Sequence, residues 1–178
     1  GFARVYVLAG PRTCSASASE AVSGIIAAGI VPAAMEMMDQ ACVRAVEASI
    51  YAAGYPIDAA AVLLVEVDGS AEAVQAEAAL VESLLRRHRA TEVRSAATAA
   101  ERGRLWQGRK KAFGAMGRIS PDLAVQDAVV PRSTLPDILD RVAAIAAHYR
   151  LGVANVFHAG DGNLHPNISF DGGDPDQV

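Results

Sequence analysis

Two histidines seven residues apart, His158 and His165, flank the string Ala159-Gly160-Asp161-Gly162-Asn163-Leu164, and Asn167 follows shortly after. Asp161-Gly162 between two apolar-alternating runs predicts a two-residue hairpin loop, because both central positions of such a turn need φ > 0 and Asp-Gly tolerates it. Counting outward then pairs Gly160 with Asn163, Ala159 with Leu164 and His158 with His165. The two imidazoles would stand directly opposite each other, with Cβ atoms about 4.5–5.5 Å apart. Strand alternation adds Asn167 and Ser169 to that face and turns Phe157, Ile168 and Phe170 the other way, into a core. Two facing neutral imidazoles plus a carboxylate from elsewhere suit zinc or a similar divalent metal, with an open position left for substrate. The spacing also fits a solvent-facing pair of histidines beside an ordinary turn. It is not a dinucleotide fingerprint, since His165 stands where a third glycine would be and no helix follows.

A second constellation lies upstream. Residues 102–118 hold Arg102, Arg104, Arg109, Lys110, Lys111 and Arg118 with no acidic residue among them. The chain as a whole has a formal charge of −4, so the remainder carries a net negative charge and this segment is a local positive field. Such a field attracts anions, and a small carboxylate is one. At helical spacing Trp106, Arg109 and Phe113 share a face, which would set a planar guanidinium between apolar walls, suited to bidentate recognition of a carboxylate. The alternative is a solvated charge run anchored by its aromatics. Glu36 between methionines and Glu66 in an apolar strand are read as strand-end or paired acids.

These side chains must be positioned by a folded body, and 178 residues with 52% hydrophobic and 20% charged content suffice for one domain, 1–178, with a sizeable core. No apolar run approaches the ~20 residues of a membrane span, and the overall acidity gives no footprint for nucleic acid. Cys14 and Cys42 are widely separated and in no metal or redox spacing, and there is no signal-peptide pattern, which points to the cytoplasm. The start at Gly1-Phe2 without methionine and the turn-like end after Phe170 read as a piece of a longer protein.

In order, Phe2 to Leu8 reads as a strand ended by Gly10-Pro11, and Ser19 to Ala28 as a helix with Ser19 as N-cap and Gly29 just past its end. A short strand covers Ala33 to Met37. Asp39 caps a helix with Val43, Val46 and Ile50 at helical spacing, closed by Gly54. Ala60 to Val67 is nearly continuously apolar, as in a strand covered on both faces. Ser70 caps a helix with a Val74, Ala78, Val81, Leu85 stripe, in which Glu82 can pair with Arg86. Thr91 to Arg94 is extended, and Thr98 with Glu101 opens a helix towards Met116. Leu123 to Val130 reads as one strand. Thr134 and Asp137 form a second capping box, before a helix marked by Leu135, Ile138, Leu139, Val142, Ile145, Ala146 and Tyr149. Strands separated by helices with a final hairpin indicate an α+β sandwich, helices covering one face of a mostly antiparallel sheet.

The string His158-Ala159-Gly160-Asp161-Gly162-Asn163-Leu164-His165-Pro166-Asn167 resembles the signature of FAD-linked 2-hydroxyacid oxidases and dehydrogenases, a family with glycolate- and D-lactate-oxidising members, and Leu105-Trp106-Gln107-Gly108-Arg109 is similar to its Leu-Trp-x-x-Arg segment. The resemblance covers nearly the whole chain, as the family's C-terminal cap domain, which has a ferredoxin-like fold. It implies divalent metal ligation, zinc or manganese, by His158 and His165, substrate contacts from Arg109 and Asn167, and a cofactor-proximal turn at Gly160, Asp161, Gly162 and Asn163. It further implies a short 2-hydroxy carboxylate substrate, hydride transfer to FAD, and partnership with the chain's own FAD-binding domain and with other oxidase subunits or an electron acceptor. Where dicarboxylate-oxidising members supply a hydroxyl and a lysine, this chain has Phe113 and Val125, which argues against a second charged end. Asp127 with Pro131 fits the family's Asp-x-x-x-Pro, read as structural. The FAD-binding domain precedes the matching region and a further acidic metal ligand and histidine follow it, so no catalytic base is assigned here, and the chain alone is expected to be inactive. Two other readings are a free-standing metal- or carboxylate-binding module without redox activity and a metal-dependent hydrolase.

Overall fold

The run Ala61–Gly69 decides the layers. In the computed structural model, which describes residues 2–9, 15–96 and 98–178 with side chains from Ser17 onward, this strand is buried from Ala61 through Val67. Leu63, Val65 and Val67 enter one apolar core and Val62 and Leu64 a second. Alternate residues of a strand point to opposite faces, so the sheet is covered on both sides.

The first half runs β1 (Phe2–Ala9), α1 (Ser15–Ala27), β2 (Ala34–Asp39), α2 (Gln40–Glu47), β3 (Ala61–Gly69), α3 (Ala71–Arg87) and β4 (Glu92–Ser95). Its strands lie in the order β4-β1-β3-β2, every neighbour antiparallel. This is the split βαβ arrangement of a ferredoxin-like unit, with α2 inserted between β2 and β3. The second half adds α4 (Ala99–Lys110), α5 (Ala112–Met116), β5 (Asp122–Val125), β6 (Ala128–Val129), α6 (Leu135–His148), β7 (Gly152–His158), β8 (Asn163–Leu164) and β9 (Pro166–Phe170). It extends the sheet through β2-β7-β8-β6, while β9 pairs with β7 and with β5. Helices α1, α3 and α6 pack on one face and α2, α4 and α5 on the other.

The expected α+β sandwich with a mostly antiparallel sheet is therefore present, but its helices lie on both faces rather than one. Other expectations shift in detail. Helix α1 begins at Ser15, which puts Ser19 inside it and not at its cap. Asp39 does cap α2, accepting from the Cys42 N–H at 2.9 Å. That helix stops at Glu47, because the Glu47 carboxylate takes the backbone N–H groups of Ala53, Gly54 and Tyr55 and folds the chain back. Ile50 is consequently exposed. Ser70 and Thr98 cap α3 and α4 as read, and Glu82 pairs with Arg86 at 2.7 Å. The helix towards Met116 breaks at Lys111 into α4 and α5.

Leu123 to Val130 splits in two, because β5 pairs with β9 whereas β6 pairs with β8. Thr134 makes no capping bond. Its hydroxyl donates to Pro131 O at 2.8 Å in a 3₁₀ turn, Arg132–Thr134, ahead of α6. The apolar stripe of α6 is buried only in part, and Ile145 and Tyr149 face outward. Gly10-Pro11 and Cys14 lie outside the described residues. Cys42 is buried in the second core, where desolvation raises its thiol pKa, so it behaves as a small apolar side chain.

Candidate functional site

The β7–β8 turn sets the register of the histidines, and it differs from a two-residue loop. Asp161 does not adopt a positive φ; among the turn residues only Gly162 does, at 73°. Asp161 N–H donates to His158 O at 3.1 Å, Gly160 N–H donates to Met35 O at 3.2 Å, and the loop has four residues, 159–162. His158 therefore pairs with Asn163 and not with His165. A shift of two residues keeps every side chain on its face, so His165 ends diagonal to His158, their ring centroids 5.4 Å apart and their planes at 85°. Asn167 and Ser169 share the face as expected. Ala154 and Val156 belong to it too and feed the second core, so the face is mixed and mostly covered.

Three elements converge on this pair. Glu36 on β2 is paired across the sheet with His158 on β7, and its Oε1 lies 2.7 Å from His158 Nδ1. Its Oε2 accepts from Arg109 Nη2 at 2.7 Å and Nε at 3.1 Å. Glu36 and Arg109 are both buried, whereas the His158 side chain is 44% exposed, so the ion pair forms the floor and the imidazole the surface. A carboxylate only accepts, so His158 donates from Nδ1, and in the neutral ring Nε2 is the nitrogen with the lone pair. His165 repeats the pattern more loosely, with Nδ1 3.4 Å from Asp127 Oδ1 and its ring against the edge of Phe113, centroids 6.1 Å apart. Asp127 thus reaches the site from the β5–β6 break, although it reads as structural in the sequence.

Asn167 is fully buried, and its Nδ2 donates to His165 O at 2.6 Å and Ala154 O at 3.2 Å. It fixes the backbone beneath His165. The Oδ1 atoms of Asn167 and Asn163 are buried without a protein partner. Beyond Arg109, α4 spans a second carboxylate, since Arg102 and Trp106 both donate to Glu66. Ala34 pairs with Glu66 and Leu64 with Glu36, so the two acids lie along one face under α4. Gly108 makes that approach possible, because an added Cβ would come within 2.9 Å of the Tyr55 ring. Trp106 and Arg109 share a helix face as read, but each is held by an acid. Both acids are paired, and the one coupling Arg109 to His158 is a link that sequence spacing does not show, since 73 and 122 residues separate Glu36 from its partners.

The donor set fits a divalent cation in part. Each imidazole has a carboxylate at Nδ1, the arrangement by which proteins orient metal-binding histidines. The orphan amide oxygens and the Glu36 and Asp127 carboxylates leave the neighbourhood rich in acceptors. Among the described residues, however, no group of three or more His, Cys, Asp or Glu side chains is arranged to hold a metal. His158 and His165 make half a site.

The antiparallel, ferredoxin-like sheet is clad on both faces, and the histidine turn lies where β7 passes into β8, between β2 and β6 in the sheet. Residues 3–178 match the family model for FAD linked oxidases, C-terminal domain, and the chain belongs to that family. It is 52% identical to glycolate oxidase subunit GlcD of Escherichia coli (strain K12) over 87% of this chain and 31% of that protein, and 37% identical to glycolate oxidase subunit GlcD of Bacillus subtilis (strain 168) over 87% of this chain and 33% of that one. The chain thus spans about a third of the length of these relatives. A solved structure of p-cresol methylhydroxylase with substrate bound superposes with a TM-score of 0.72 at 9% identity, covering 99% of this chain and 40% of that one, which bears on the fold. Among the described residues no helix is long and apolar enough to cross a membrane.

Proposed function

We propose that this chain is the substrate- and metal-binding cap domain of an FAD-dependent 2-hydroxyacid dehydrogenase of the glycolate oxidase type, acting with its own FAD-binding domain and other oxidase subunits. The observation that carries the reading is the pair of adjacent imidazoles, each with a carboxylate at Nδ1. Glu36 holds the His158 ring in the tautomer that leaves Nε2 free, Asp127 lies beside His165 Nδ1, and Asn167 fixes the chain beneath His165. His158 and His165 are then two ligands of a zinc or manganese ion that would act as a Lewis acid on the substrate's hydroxyl and carboxylate. FAD, when bound, supplies the acceptor for the hydride. Arg109 lends a donor to the acid end through Nη1, the nitrogen that takes no part in its pairing with Glu36. Val125 and Phe113 near the site offer no charge to a second carboxylate, which favours a monocarboxylate.

In the parent oxidase, His158→Ala or His165→Ala is expected to lower kcat/KM for glycolate by about a hundredfold or more with flavin content unchanged. Unaltered turnover in both variants would refute the assignment.

A further inference from the structure

Glu36 balances Arg109, so that pair offers a substrate carboxylate one Nη1 donor but no net charge, and a further cation beside the proposed metal would serve the carboxylate. One stands on the far wall. Arg132, between β6 and α6, is exposed and has no carboxylate within ion-pair distance among the described residues; its Nη1 donates to Gly160 O at 2.8 Å, in the histidine turn itself. It lines a cleft of about 250 Å³ together with Glu36, His158, Gly160 and Asp161, closed on the other side by the apolar stretch Val31–Met35. The bond to Gly160 anchors the guanidinium at one corner and leaves Nε and Nη2 for a bidentate carboxylate. The volume lies below the roughly 300–1,000 Å³ of pockets for drug-sized ligands, so the cleft suits an acid of a few carbons. Asp161, exposed on the same rim, repels a second carboxylate.

Resting on the function proposed above, we infer that Arg132 is the charged recognition residue for the carboxylate of a short 2-hydroxy monocarboxylic acid whose hydroxyl end lies at His158. The competing role is mechanical: Arg132 merely pins the turn through Gly160 O. The two separate in variants. Arg132→Gln keeps a side-chain N–H for Gly160 O but loses the charge, Arg132→Lys keeps the charge, and Arg132→Ala loses both.

The test is titration of the chain with glycolate, with and without zinc, followed by the Arg132 Nε–Hε and His158 ring resonances in NMR, with amide spectra confirming that each variant is folded. In the wild type the resonances are expected to shift saturably. Gln and Ala should weaken glycolate by about tenfold or more, and Lys, which keeps the charge but loses the bidentate fork, should fall between wild type and Gln. Zinc affinity should be the same in all four proteins. Glycolate binding by Arg132→Gln equal to wild type, or no saturable response in the wild type in either condition, overturns the inference. Arg132-dependent glycolate binding with no zinc binding would instead leave Arg132 standing and sink the metal assignment.

Discussion

Glu36 is one buried charge shared by two functional candidates, and its removal tests how tightly they are coupled. Glu36→Ala leaves the Arg109 guanidinium buried without a counter-ion, and breaking a buried pair from one side costs about 3–5 kcal/mol. The cost should appear as a lowered urea midpoint. A double variant, Glu36→Leu with Arg109→Met, removes both charges and should recover most of the loss; equal destabilisation of single and double variants would show that packing, not the unpaired charge, sets the cost. The sequence makes the site's residue types legible, with His158, His165, Arg109 and Asn167 all converging on one face, but not their partners. Glu36 looks like any acid in an apolar strand until the sheet places β2 beside β7, and Asp127 looks structural until the β5–β6 break turns it towards His165.

At the scale of elements, Asp39 ties three together. Its carboxylate caps α2 and accepts from both the backbone N–H and the Nδ2 of Asn155 on β7, at 2.7 and 2.8 Å. Burial outweighs these hydrogen bonds and pushes its pKa up from 3.8 to about 6. A folded-state pKa above the unfolded one means that the native state binds the proton more strongly. The stability from Asp39 is therefore fully present below about pH 4 and lost as pH rises through about 6. Urea midpoints measured at pH 4.5, 5.5 and 7, spaced by order of magnitude across that window, should fall with pH more steeply in the wild type than in Asp39→Asn, and parallel profiles would contradict this.

Gly162 does comparable work for the histidine turn. With φ at 73° and an added Cβ only 2.2 Å from Val130 O, Gly162→Ala must displace the β6–β8 pairing. The expected cost is about 1–3 kcal/mol in the thermal midpoint, together with weaker metal binding. Helix and strand existence followed from periodicity and caps, as for α3 and β3. The misplaced boundaries arose where particular contacts, near or distant in sequence, won over periodicity. Glu47 ended α2 before Ile50, separate partners β9 and β8 divided one apolar run, and Asp161's φ replaced a two-residue loop with a four-residue one. The histidine face survived that last change only because the register moved by two.

At the scale of the molecule, the ferredoxin-like core and its added strands set the site across the neighbouring strands β2, β7 and β8, and relatives of this chain are about three times its length. On the proposed reading, this domain positions substrate and the rest of the parent binds the flavin. The purified chain is accordingly expected to carry no flavin absorbance and to show no glycolate-dependent dye reduction. Stoichiometric flavin on the isolated chain would contradict that division of labour.

The measurement closest to the central claim is a zinc titration of the wild-type chain against the His158→Ala, His165→Ala double variant. Saturable binding of one zinc per chain in the wild type, lost in the double variant with the fold intact, is the expected result. Equal zinc binding by both proteins would remove the two imidazoles from the metal's coordination sphere and with them the proposed role of the histidine turn.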